Sequence, residues 1–277
     1  MAEELKPLKP LLVYDYNMKK FVLHITFFCC LILVTSCGIS EDCFKGNGNQ
    51  ITQTFPLENF TKIKVYDGVG LVIKEGPNYE VKVVTSDNII DDLEVKLNGD
   101  MLVVKDNSTC NIARDYGQIK VYVTIPDGTF LPVVPDLELH SKTEQKIESD
   151  GVLHSRIIRL FSMDLSDGAG TGDFHLTVNS NEYVIIESNN VSNFYIKGDC
   201  NNLNVAFFWG NGIFYGEEIA VTNSIYVFQR GSNDMIFRPT SRIYGDIYSV
   251  GNVILKSLPL QDDIIQHYRG RVIYQIN

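Results

Sequence analysis

The sequence predicts an all-β fold in which short β-strands lead into a parallel β-helix-like stack of coils, and three observations carry that prediction. Fourteen Tyr and fifteen Phe are joined by Val, Ile and Thr in short runs between Gly, Asn and Asp, the composition of strands closed by turns. No amphipathic pattern persists for more than a few helical turns. From residue 136 onward, turn residues recur at a nearly constant step.

The chain has 277 residues, 21% of them charged and 44% hydrophobic, enough for one large domain or two small ones with a real core. Its net charge of −10 and the lack of any Lys/Arg cluster argue against a nucleic-acid partner, because phosphate backbones are held by clustered cations.

Residues 1–17 carry two prolines and mixed charge, and they precede a second methionine, Met18, which we read as the true start. Residues 18–36 then have the form of a signal peptide. Met18 is followed by two lysines, Phe21 to Val34 is apolar apart from His24 and Thr26, and small residues lead to Cys37. That apolar run is short of the ~20 residues needed to cross a bilayer. Leu33-Val34-Thr35-Ser36-Cys37 resembles a bacterial lipobox, which implies cleavage before Cys37 and lipidation of its thiol, so that the membrane is reached through lipid on Cys37. An ordinary signal peptide or an N-terminal anchor helix is the alternative. Ser40-Glu41-Asp42 resembles the acidic surface-export tag of Bacteroidota lipoproteins, or serves only as part of a solvated tether. Residues 37–54 read as that tether, with Asn47 to Gln53 as a flexible spacer. Of the six cysteines, Cys29 and Cys30 fall in the signal segment and Cys37 at its end. Cys43 lies on the tether, which leaves Cys110 and Cys200 as the pair to expect if any disulfide forms.

Residues 55–135 read as an N-terminal β-strand half. Strands are expected at Lys62–Tyr66, Gly70–Glu75, Glu80–Thr85, Leu93–Leu97, Met101–Lys105 and Gln118–Ile125, closed by turns such as Asp67-Gly68 and Asn98-Gly99. Pro132 and Pro135 mark a seam.

Residues 136–277 read as the repeating half. Gly168, Asn189, Gly210, Gly231 and Gly251 stand 21, 21, 21 and 20 residues apart. Counting back from these anchors gives two columns on one strand face: Leu165, Ile186, Phe207, Phe228, Tyr248 and Met163, Val184, Val205, Tyr226, Asp246. The first is expected to form one stacked core column. Apolar pairs Phe174/Leu176, Phe194/Ile196, Ile213/Tyr215, Met235/Phe237 and Val253/Leu255 follow the anchors as a second side. In this alignment Ile185, Ala206, Val227 and Ile247 face outward although apolar, which points to a covering layer or to a homo-oligomer contact. An antiparallel sandwich with evenly spaced hairpins is the alternative fold.

The run Phe60-Thr-Lys-Ile-Lys-Val-Tyr-Asp-Gly-Val-Gly-Leu-Val-Ile-Lys-Glu-Gly76, with Tyr79-Glu-Val-Lys-Val83 and Asp100-Met-Leu-Val-Val104, resembles the putative auto-transporter adhesin, head GIN domain family of Bacteroidota. The Gly-rich turns Gly168-Ala-Gly-Thr-Gly-Asp173 and Gly210-Asn-Gly212 extend the resemblance, which runs from about Phe55 to Pro259. It implies a right-handed β-helix-like fold on a lipid-anchored or secreted protein. It carries no functional residue across, and Asn, Phe and Trp replace several Gly and Ser positions of the family pattern.

β-Helices also serve as polysaccharide lyases and hydrolases, chemistry that needs carboxylates sharing one face. Asp164, Asp167, Asp173, Asp199 and His175 are the candidates, but Asp164 and Asp167 differ by an odd number, and Asp167 and Asp173 flank a Gly turn. No nucleophile, metal or cofactor motif occurs in a fitting context, so no cofactor is expected. For binding, the candidates are Trp209, Phe208 and Arg230: an aromatic pair at a turn with a guanidinium one coil away, suited to a sugar ring or a protein partner. Alternatively, Trp209 covers an end or side of the coil. The sequence thus supports a lipid-anchored outer-membrane binding protein, with a polysaccharide-degrading enzyme and a purely structural envelope protein as the other readings.

Overall fold

The structure is a computed structural model describing residues 20–22, 24–25, 41–108, 110, 115, 117–130, 133–164, 166–168 and 170–276; Cys37 and Leu165 lie outside the described residues. Among the described residues no helix is long and apolar enough to cross a membrane. The chain is all-β and its pairing is mixed, parallel through the centre and antiparallel at the N-terminal end.

The expected N-terminal strands form: β2 (Lys62–Tyr66), β3 (Val69–Gly76), β4 (Glu80–Ser86), β5 (Leu93–Asn98), β6 (Met101–Asp106) and β7 (Ile119–Pro126). They are preceded by β1 (Gln50–Phe55), which overlaps the segment read as a spacer and pairs antiparallel with β4 from Gln50↔Ser86 to Phe55↔Val81. Then come β8 (Leu137–Lys142), β9 (Ile147–Ser162), β10 (Phe174–Ser188), β11 (Phe194–Phe207), β12 (Phe214–Gln229), β13 (Met235–Phe237), β14 (Arg242–Ile247), β15 (Val253–Leu255), β16 (Gln261–Gln266) and β17 (Val272–Tyr274).

These strands make two long sides. On the first, β5 pairs antiparallel with β6, and β2, β8, the second half of β9 and those of β10, β11 and β12 follow in parallel, ending with β14 and β16. On the second, antiparallel β1 and β4 lead to β7 and β3, then in parallel to the first halves of β9, β10, β11 and β12, and on to β13, β15 and β17. β9 to β12 are long because each turns a corner and serves both sides.

Side chains alternate inward and outward along each strand. The inward columns are nearly pure hydrocarbon: Ile158, Val184, Leu203, Ile225 and Ile243; Leu160, Ile186, Val205 and Val227; and, opposite them, Phe174, Phe194, Phe214, Met235 and Val253. The Phe174 and Phe194 rings stack with centroids 4.8 Å apart, the spacing that hydrogen-bonded strands impose.

The predicted core column does not form. Ile186 pairs with Val205, Phe207 with Gln229, and Phe228 with Asp246. Ile186 and Phe207 are buried, whereas Phe228 is half-buried and Tyr248 exposed on the outer face. Rungs are unequal: Ile186, Val205, Val227, Gly245 and Ile264 are mutual neighbours yet stand 19, 22, 18 and 19 residues apart. Corners absorb the difference, as where Cys200–Asn202 is matched by Val221–Ser224. The same drift resolves the apolar outward column: Ile185 and Ala206 do face outward, but Val227 and Ile247 are buried in the core. On the second side Phe214, rather than Ile213 or Tyr215, points inward.

The cysteine expectation also fails. Cys43 is bonded to Cys110, and Cys200 is a free, buried thiol. Cys200 occupies the inward column between Ser180 and Val221, out of reach of a surface loop.

Candidate functional site

Beyond β11 the chain turns at Phe208-Trp209-Gly210-Asn211-Gly212. A Cβ on Gly210 would lie 1.9 Å from Asn190 O, and one on Gly212 2.2 Å from Ser192 O, so the turn lies flat on the rung below only because both residues are glycine. That rung is fixed by a buried polar cluster. Asn190 Nδ2 donates to Ser162 Oγ at 2.9 Å, Asn190 Oδ1 accepts the Ser192 N–H at 3.0 Å, and the Ser162 and Ser192 hydroxyls are 2.7 Å apart. On this platform Trp209 is 60% exposed.

Arg230 follows β12, whose last residue Gln229 is buried; its Oε1 accepts the Gly231 N–H at 2.8 Å and its Nε2 donates to Asn233 O at 2.8 Å. The Arg230 N–H bonds Phe207 O at 2.8 Å, so Arg230 sits beside Phe208 rather than beside Trp209, one residue off the predicted register. Its side chain nevertheless reaches across, with the guanidinium carbon 4.3 Å from the Trp209 ring centroid. The structure thus brings the three predicted residues together.

It also adds neighbours that sequence reasoning missed. Because residues two apart share a face, Phe208, Phe228 and Tyr248 form an outward aromatic ladder with centroids 5.4 and 5.5 Å apart, and Tyr248 stacks on His267 at 4.2 Å. Tyr226 and Tyr244 form a second ladder at 5.4 Å, with Arg242 4.4 Å from the Tyr244 ring. A groove of about 370 Å³ is lined by apolar Ile185 and Ala206, by the aromatic Phe208, Tyr226 and Phe228, and by the polar Arg159, Glu187 and Asn204. Partial burial, with the nearby Asp246 charge, raises the Tyr226 hydroxyl above the usual phenol range, so it stays a neutral donor. The signal for the groove and its ladders was present as aromatics at 226, 228, 244 and 248, but an even 21-residue count assigned Tyr226, Phe228 and Tyr248 to the core face.

Three of the candidate acids, Asp164, Asp167 and Asp173, are held in structural contacts. Asp173 accepts the Asn193 N–H at 2.9 Å and Nδ2 at 3.1 Å. Asp164 shares backbone hydrogen bonds with the Asn189 side chain. Asp167 is ion-paired with Lys64 and, at 2.8 Å, with buried Lys142. Burial opposes ionisation of Asp167, but the two lysines outweigh it and hold the carboxyl well below the usual carboxylate range. His175 stacks on Tyr195 at 4.3 Å, and burial lowers its pKa.

A family model, putative auto-transporter adhesin, head GIN domain, matches residues 59–259. A crystal structure of a putative adhesin from Bacteroides fragilis is 14% identical, with a TM-score of 0.66 over 82% of this chain and 97% of that one. A crystal structure of a putative lipid binding protein from Parabacteroides distasonis is 14% identical, with a TM-score of 0.50 over 82% of this chain and 98% of the other. At such identities the likeness is one of fold. No curated protein matches the chain. The family model spans most of the sequence, from just before β2 to just beyond β15, and on that match the chain belongs to the putative auto-transporter adhesin, head GIN domain family.

Proposed function

We propose that this protein is exported, lipidated at Cys37 and held on the outer membrane, where the aromatic groove beside Trp209 binds a glycan. The stack that carries the groove is read as a right-handed β-helix-like coil, because parallel crossover connections are right-handed in nearly every case. One observation carries the binding reading: Trp209 is exposed on a turn fixed from below, one ring face against Arg230, and its chain neighbour Phe208 lines a groove together with Tyr226 and Phe228. Planar aromatics displayed on a rigid face lose little entropy on contact and present flat apolar area for a sugar ring, while Arg159, Glu187 and Asn204 offer hydroxyl partners. The family description, adhesin, agrees with a binding role.

A glycan array probed with the full chain tests this. Retention of a glycan that is weakened by ~1–3 kcal/mol in Trp209→Ala, with unchanged thermal unfolding, is the expected result. Binding that is indifferent to Trp209→Ala and Arg230→Ala, or an array with no retained glycan, would move the reading to a protein partner.

A further inference from the structure

Glu75, Asp127 and His154 come from three separate elements and converge at one point. Glu75 is the penultimate residue of β3, and Asp127 follows β7, which runs parallel to β3 with Gly76 opposite Pro126. The Asp127 N–H bonds Gly76 O at 3.0 Å, which sets the two acids side by side. His154 lies in β9 just past the point where that strand leaves β3, after the pairing of Ile73 with Ser149 and a turn at Gly151 with φ of 98°. One carboxylate oxygen from each acid and one imidazole nitrogen lie within 4.8 Å of one another.

We infer that these three residues form a binding site for a first-row divalent transition-metal ion, with Zn²⁺ the best match. The donor set, one imidazole and two carboxylates, is one that Zn²⁺ takes at 2.0–2.2 Å per bond, and small side-chain rotations bring the three atoms to that range. A hard ion such as Ca²⁺ gains less from an imidazole.

Three features make the set a built one. Glu75 is nine-tenths buried, with its Oε1 accepting the His154 N–H at 2.6 Å and its Oε2 2.7 Å from His154 Nδ1, so the acid and the imidazole are already oriented towards each other. Asp127 is aimed by its own turn: Oδ1 accepts the Thr129 N–H at 2.8 Å and the Thr129 hydroxyl at 2.6 Å. The turn approaches β9 so closely that a Cβ on Gly128 would lie 2.2 Å from His154 O, and only glycine permits that approach. Among the described residues no lysine or arginine pairs with either carboxylate, which leaves the two acids an excess of negative charge that a dication neutralises. The neutral imidazole ligates through the Nδ1 lone pair with its one N–H on Nε2, and each ionised carboxylate gives one oxygen lone pair, so no covalent bond of the protein is broken.

Isothermal titration of the full chain with ZnCl₂ is the test. One Zn²⁺ per chain is expected, bound at least about tenfold more weakly by His154→Ala and by Asp127→Asn, and unchanged in His140→Gln, which removes a different histidine–carboxylate pair. Should His154→Ala fail to fold, Asp127→Asn decides, since it leaves the buried Glu75–His154 contact in place. The inference is overturned by the absence of stoichiometric binding tighter than about 1 mM. It is overturned equally by binding that survives Asp127→Asn, or that His140→Gln abolishes, because the ion would then sit elsewhere.

Discussion

Cys200 and Trp209 stand nine residues apart and meet opposite environments, one in the inward column and the other in solvent. Burial pushes the Cys200 thiol up to about 12, so the thiolate needed for nucleophilic attack is scarce at neutral pH. Folded protein should therefore resist maleimide labelling at Cys200 and become reactive only in denaturant; fast labelling of the native chain would show that the column is open. Phe207, 1% exposed, packs in the same interior, its ring 5.7 Å from that of Phe194. Phe207→Ala should cost ~3–5 kcal/mol in chemical denaturation, whereas Trp209→Ala two residues on should cost almost nothing. The sequence exposed part of this contrast. Trp209 was legible as a turn aromatic, but the sequence left open whether it faces solvent or covers the coil, and the structure exposes it. Cys200 was not, because whether residue 200 faces in or out depends on the corner after it, where the pairing shifts between Cys200 and Asn202.

At the scale of elements, strands and turns read well and their mutual registration did not. The N-terminal strands fall within a residue or so of their expected bounds, since each is an alternating run closed by its own turn. Stacking register is set instead by corner lengths, and a step of 19, 22 or 18 residues cannot be recovered from glycines that recur every 21. The turn from Met163 to Gly168 shows how a corner is held. Lys142, nearly fully buried, donates to Met163 O at 2.6 Å, to Gly168 O at 2.7 Å and to the Asp167 carboxylate, which also pairs with Lys64. The depressed Asp167 pKa makes this contribution present above the ordinary aspartate value and lost as pH falls through the lower folded value. Asp167→Asn should thus lower the melting temperature at pH 7, with the gap from the native chain beginning to narrow below about pH 4. A gap that does not narrow at all between about pH 4 and about pH 2 would assign the loss to hydrogen-bond geometry and not to charge. The Glu75, Asp127 and His154 constellation was illegible for the same reason as register: its members are 52 and 27 residues apart, and only the stacking of β9 on β3 joins them.

Across the whole molecule, the Cys43–Cys110 bond changes how the folded body relates to its proposed anchor. Residues 37–54 read as a flexible tether, but the disulfide fixes Cys43 to the loop that follows β6, and β1 is paired from Gln50 onward. Six residue-to-residue steps then lead from Cys37 to the first fixed point. At ~3.3–3.6 Å per extended residue they span no more than about 20 Å, so lipid on Cys37 would hold the stack close against the bilayer. A disulfide also agrees with export, because such bonds persist in oxidising compartments. Two measurements follow from this geometry. Fatty-acid labelling should mark the native chain and miss Cys37→Ala, and a labelled Cys37→Ala chain would remove the anchor from this position. With Cys43→Ser and Cys110→Ser combined, the bond that closes a 67-residue separation is gone, and stability should fall by ~2–4 kcal/mol in denaturant titrations. The double variant should also be cut by protease between residues 44 and 49 at a rate well above that of the native chain, since that stretch would lose its covalent hold and keep only hydrogen bonds and ion pairs. Equal cutting rates would mean that the segment is ordered by its other contacts, Lys45 with Asp92 and Asn47 with Asp115, and that the disulfide adds nothing to its reach.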